Sequence, residues 1–152
     1  MIQRLQTIFL ALAAIVMAFL FNRNISFASA ETPLPPGHTD SVLADGIYNT
    51  QAHIILLVLV ILGILIPVIT IFLYKNRPLQ MKLSRLTIAL IVLSIVLTVV
   101  FFYLDYNTLA TTIEVKMQFG YAIPVIAIIF LALAVRFIKK DEKLVRSADR
   151  LR

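Results

Sequence analysis

Few side chains in this chain could carry acid–base or metal chemistry: His38, Asp40, Asp45, His53, Asp105 and Glu114. Each falls in a polar segment or at its border with an apolar run. His38-Thr39-Asp40 is too common a pattern to define a metal centre, and Leu57 stands four residues after His53, where a helical second ligand would be needed. There is no cysteine, which excludes disulfides, thiolate zinc sites, iron–sulfur clusters and cysteine nucleophiles. These residues therefore point away from catalysis, from a metal and from a cofactor, and a non-enzymatic protein is expected. Their simplest role is that of polar groups at a membrane–water boundary, beside Tyr48, Tyr74, Tyr103 and Tyr121 as interfacial anchors.

The elements that would position them are four long apolar runs, at about residues 5–21, 54–74, 86–104 and 119–138, with Arg136 the one charge inside any of them. Such runs are too long and too continuous for a soluble core. From Ile54 to Leu73 every position except Gly63, Pro67 and Thr70 is Ile, Leu, Val or Phe, so insertion is favoured by about 5–10 kcal/mol. A charge at mid-membrane would oppose it by roughly 2.5–3.5 kcal/mol, and none is present. With 61% hydrophobic against 14% charged residues, no separate soluble domain is expected. The fold class is therefore an all-α membrane protein, residues 1–152 as one membrane domain, an antiparallel bundle of four transmembrane helices.

The net charge of +6 takes its meaning from position. With the N-terminus in the cytoplasm, every Lys and Arg except Arg23 and Lys116 falls on the inner side: Arg4, then Lys75, Arg77, Lys82 and Arg85 in a connector at 75–85, then Arg136, Lys139, Lys140, Lys143, Arg146, Arg150 and Arg152 in and after the last run. This is the asymmetry of the positive-inside rule for an even number of spans with both termini cytoplasmic. The cations then meet anionic lipid headgroups or a protein partner, and no nucleic acid is expected.

The first run admits a rival reading. Arg4, the apolar stretch from Ile8 to Phe21 and Ala28-Ser29-Ala30 before Glu31 resemble a secretory signal, whose cleavage would leave three spans. Retention is favoured, because Asn22-Arg23-Asn24 interrupts the approach and the small residues Thr7, Ala11, Ala14 and Ala18 line one helical face. Similar stripes occur at Gly63, Pro67 and Thr70, at Ser84, Thr87, Ser94 and Thr98, and at Gly120, Pro124, Ala127 and Ala134. Lipid gives helices no hydrophobic reason to associate, so close approach over small residues must do it. The hydroxyls of the third stripe are expected to bond their own helix rather than to line a water path. Gly63-x-x-x-Pro67 and Gly120-x-x-x-Pro124 read as helix kinks, the glycine giving the backbone room to bend.

The outer loops are residues 22–53 and 105–118. Pro33, Pro35, Pro36 and Gly37 break the first, after which Ser41–Ala44 and Ile47–Thr50 flank Asp45-Gly46, a favoured hairpin turn, so a small β-hairpin is expected there. The second loop would pack on it through Tyr106, Ile113 and Val115. In the tail, residues 139–152, Leu144, Ala148 and Leu151 follow helical spacing and Glu142 precedes Arg146 by four, which favours a helix continuing the last span.

The opening Met1-Ile2-Gln3-Arg4, the connector Phe72-Leu73-Tyr74-Lys75-Asn76-Arg77-Pro78-Leu79-Gln80-Met81-Lys82 and the ending from Lys140 to Arg152 resemble a family of small four-span inner-membrane proteins of Bacteroidota known as a domain of unknown function. The resemblance covers nearly the whole chain. It implies a bacterial inner-membrane location and a retained first span, and it brings no catalytic residue, cofactor or substrate. Two roles compete: a non-enzymatic accessory or scaffold subunit that presents its basic connector and tail to a partner, and a small-molecule or lipid carrier working through the kinked second and fourth spans. The carrier reading implies a homo-oligomer.

Overall fold

The computed structural model describes residues 3–30, 47–74, 76–108 and 115–149. Helix α1 spans Gln3–Ala18 and closes in a 3-10 turn at Phe19–Phe21. Strands β1 (Ala28–Ala30) and β2 (Ile47–Tyr48) precede α2 (Ile54–Phe72). Helix α3 runs Arg77–Thr108, and β3 (Val115–Met117) with a 3-10 turn at Phe119–Tyr121 leads into α4 (Ala122–Asp149). Three helical segments, Ile54–Phe72, Arg77–Asn107 and Phe119–Val145, are long and apolar enough to cross a membrane, and Leu5–Phe21 is a shorter apolar helix.

The α3 helix begins nine residues before the apolar run that predicts it. Asn76 makes this start: its side-chain oxygen accepts from the Leu79 N–H at 3.2 Å, and its carbonyl from the Gln80 N–H at 3.0 Å. Pro78 follows within the first turn, where its missing N–H costs nothing. From Arg77 on, the expected connector at 75–85 is thus helix. Likewise α4 continues without a break from its apolar stretch to Asp149, as the tail's spacing suggests.

Each helix buries one narrow seam. In α1 and its closing 3-10 turn it is Gln6, Leu10, Ala13, Met17 and Leu20; in α2 Leu56, Val60, Gly63, Pro67 and Thr70; in α3 Gln80, Ser84, Thr87, Ile91, Ser94 and Thr98; in α4 and the 3-10 turn before it Gly120, Pro124, Ala127, Leu131, Ala134, Ile138 and Asp141. All four seams step by four and three residues, the 3.5-residue repeat of helices that cross at a shallow left-handed angle. The stripes expected in α2, α3 and α4 are all buried. The α1 stripe is buried only in part: Ala14 is buried beside Leu10, Ala13 and Met17, and Ala18 is exposed. The reason lies in α2, where Gly63 makes room; a Cβ there would sit 3.0 Å from Met17 Cε. One glycine is enough for both helices.

Helix α1 packs on α2 and α4, and α3 packs on the same two. Phe9 stacks on Phe137 with ring centroids 5.3 Å apart, joining the start of α1 to the end of α4. Arg77 and Asp141 join the start of α3 to that same end, and the α2–α3 turn lies there as well. At the opposite end β1 lies between the other two strands, antiparallel to both: Ala28 pairs with Tyr48 and Met117, Ser29 with Ile47 and Lys116, and Ala30 with Val115.

Only the second half of the expected hairpin falls within the described residues. Ile47–Tyr48 is a strand and pairs with Ala28–Ser29, while Ser41–Ala44 and the Asp45-Gly46 turn lie outside the described residues. Val115 joins the sheet as the loop-packing expectation has it, Tyr106 instead stacks on Phe102 with ring centroids 6.1 Å apart, and Ile113 lies outside the described residues. The Ala-Ser-Ala motif that reads as a cleavage signal is the sheet's middle strand, with Ala28 fully buried.

Candidate functional site

Polar groups gather at the two ends of the helices. At the sheet end, His53 Nε2 lies 2.8 Å from Asp105 Oδ2, tying the start of α2 to the end of α3. The imidazole lies over Phe101 at 4.5 Å between centroids, and the Tyr48 ring meets it edge-on at 6.4 Å. Neither His53 nor Asp105 has a sequence cue for the other, since 52 residues separate them. Of the other candidates for chemistry, His38, Asp40, Asp45 and Glu114 lie outside the described residues. Among the described residues no group of three or more His, Cys, Asp or Glu could hold a metal ion. A histidine–carboxylate pair orients an imidazole. Here its geometry fastens two helices.

Tyr48 is not the interfacial anchor its position suggests. It is fully buried, packed edge-on against Phe102 with centroids 5.2 Å apart, whereas Tyr74 and Tyr103 are exposed as anchors should be. Its hydroxyl has no hydrogen-bond partner among the described residues, and the same holds for Tyr121. Burial, then the charge of Asp105, then Tyr121 push the Tyr48 ionisation well above its ordinary value of 10.0. The folded chain therefore holds this proton where the unfolded chain releases it, so stability is expected to be flat in this term below pH 10.0 and to fall as pH rises above it. Tyr48→Phe should abolish that alkaline loss and leave neutral-pH stability unchanged or slightly raised, because it removes an unpaired buried hydroxyl. Thermal unfolding in detergent micelles across pH 7–11 checks both.

Between the helices near this end, a cavity lined by Leu20, Thr50, Val60, Ser94, Thr98 and Tyr121 has room for no more than about one water molecule. Thr50 Oγ1 donates to the Leu20 carbonyl at 3.1 Å. Thr87, Ser94 and Thr98 donate to carbonyls of their own helix at 2.9, 2.7 and 2.7 Å. Three of the four hydroxyls of the α3 stripe thus serve their own backbone, as expected, while the buried Ser84 Oγ has no partner among the described residues.

At the basic end, Arg77 Nε lies 3.0 Å from Asp141 Oδ2, an ion pair with side chains 20% and 11% exposed. Gln80 Nε2 donates to the Thr70 carbonyl at 2.8 Å, and Gln6 and Gln80 are both 1% exposed. These two glutamines were not evident as core residues from composition; their signal is that they continue the four-three spacing of the α1 and α3 seams. Lys82, Arg85, Lys139, Lys140 and Lys143 are exposed on α3 and α4 around this end. Lys75, Arg150 and Arg152 lie outside the described residues, as does the Arg146 side chain.

The two glycine–proline pairs serve different purposes. Pro67 is buried inside an unbroken α2. Pro124 sits in the first turn of α4, where no N–H is required, and it therefore starts a helix rather than bending one. Gly120 is needed for another reason: its N–H donates to the Ser26 carbonyl at 3.0 Å, and a Cβ would lie 2.4 Å from that oxygen.

Seams that carry Gln, Ser and Thr inward, while Ile8, Ile15, Leu65, Val96 and Ile129 face outward, invert the soluble pattern. No more than 33% of any of the three long apolar stretches is buried against the chain itself. These features define a helical membrane protein. The chain belongs to the DUF4293 family, a domain of unknown function, whose profile matches residues 2–151. Comparison with curated proteins and with solved structures finds no match.

Proposed function

We propose that the chain is a four-span bundle in the bacterial inner membrane, with both termini cytoplasmic, acting as a non-enzymatic accessory or scaffold subunit that presents its basic end to a partner protein. The observation that carries this reading is the continuity of α4 from its apolar stretch through Lys139, Lys140 and Lys143 to Asp149. About 20 residues of α4 fill a bilayer, so its last turns stand beyond the lipid as a stiff helix. Leu144 and Val145 are 49% and 40% exposed on that projection, and Val145 continues the seam spacing past Asp141. The side on which the cations collect is the cytoplasmic one by the positive-inside rule. Leu5–Phe21 reaches the lower limit of spanning length, and its seam supports its place as the fourth span.

The carrier reading has less support. Among the described residues, the cavity near Thr98 is far below the few hundred Å³ of a ligand site. Purification in mild detergent tests the proposal: a stoichiometric protein partner should accompany the intact chain and be lost on truncation after Lys143, which spares the Arg77–Asp141 pair. A monomer that recovers no partner from native membranes would contradict it.

A further inference from the structure

We infer that the outer groove between α3 and α4 is a binding site for one anionic phospholipid, with Arg85 and Lys139 holding its phosphate. The placement follows from contacts on the other sides of these helices. Phe101 of α3 lies against His53 at the start of α2, and Phe137 of α4 stacks on Phe9 of α1. Phe137 is offset to one side of the α4 seam, and along the α3 seam Gln80 and Phe101 meet α2 or its start while Arg77 meets α4. At about 100° per residue, Arg85 lies about 120° from the α3 seam on the side away from Phe101, and Lys139 about 120° from the α4 seam on the side away from Phe137. Those sides face one another, since α3 packs on α4 as well as on α2, and α4 on α3 as well as on α1. Arg85 and Lys139 are both exposed there.

Depth agrees with the assignment. The Arg77–Asp141 pair sets the two helices' relative height. From it, Lys139 is about 3 Å and Arg85 about 12 Å further toward the middle of the molecule, a gap of about 9 Å that two extended basic side chains can close around one phosphate. Below them the groove is apolar, with Ile88 and Val92 on α3 and Ile128 and Val135 on α4, and Val92 is 46% exposed. A cationic mouth above an apolar channel matches a phosphate joined to acyl chains rather than a soluble anion. The site rests on insertion of α3 and α4 in the bilayer and is independent of any protein partner.

Native mass spectrometry of the purified full-length chain, titrated with phosphatidylglycerol, phosphatidylcholine or inorganic phosphate, tests it without a partner present. One phosphatidylglycerol should be retained in preference to phosphatidylcholine, and phosphate should not displace it. Arg85→Gln with Lys139→Gln should weaken retention about twenty-five-fold, two side chains at roughly fivefold each. Lys82→Gln with Lys143→Gln makes the same change in charge on faces turned away from the groove and should leave retention intact. Equal retention of the two lipids, displacement by phosphate, or equal loss in both double variants would overturn the site.

Discussion

Gly120→Val is expected to be the most damaging single substitution in the described part of the molecule, lowering stability by about 3 kcal/mol or more. The atoms a Cβ would meet are the Ser26 oxygen at 2.4 Å, the Ser26 carbonyl carbon at 2.8 Å and Phe27 Cδ1 at 3.1 Å. Two of these belong to the backbone just before β1, and that segment is held from both sides. The Phe27 N–H donates to the Tyr48 carbonyl at 2.7 Å, and the Gln118 N–H to the Phe27 carbonyl at 2.8 Å. Relief of the clash therefore requires the sheet to come apart from the start of α4. Gly63→Ala provides the contrast, because its nearest neighbour is the flexible end of Met17 at 3.0 Å, and a cost within about 1 kcal/mol is expected. Thermal unfolding of both variants in the same detergent checks the ranking. Equal melting of Gly120→Val and wild type would show that β1 does not lie against Gly120.

Asp141→Ala is the second large effect, expected to cost about 3 kcal/mol. It would leave the Arg77 guanidinium, 20% exposed, without its carboxylate at the junction of α3 and α4. The cost comes chiefly from the abandoned charge rather than from the lost attraction. It follows that Arg77→Leu combined with Asp141→Leu should recover most of the stability that either single change removes. A double-mutant cycle by thermal unfolding measures this directly, and additive losses would show that the two side chains do not share one environment.

The membrane helices were legible because their signal is local: uninterrupted apolar residues need no tertiary context to be recognised. The packing faces were legible to a degree. Ser84, Thr87, Ser94 and Thr98 lie on the α3 seam because small polar residues stand out against Leu and Val, and Gly63, Pro67, Gly120 and Pro124 mark α2 and α4 in the same way. The α1 face was read only in part, at Ala14, because a rule about small residues cannot see that Gly63, on another helix, has already made the room Met17 fills. The sheet was beyond local reasoning. Its strands are two or three residues long, and Ala28–Ala30 becomes the middle strand only because Tyr48 and Met117 arrive from distant segments to pair with it. For the same reason the closeness of His53 to Asp105 could not be read from residues 52 apart.

We propose that the N-terminal helix is a permanent part of the membrane fold. Helix α1 packs on both α2 and α4, and β1 holds β2 and β3 together. Removal of residues 1–30 would take away a seam and the middle of the sheet at once. The most direct measurement is the intact mass of the protein extracted from its native membrane, with sequencing of its first residues. Retention of residues 1–30 is the predicted result. A membrane-embedded chain that begins at Glu31 would contradict the account.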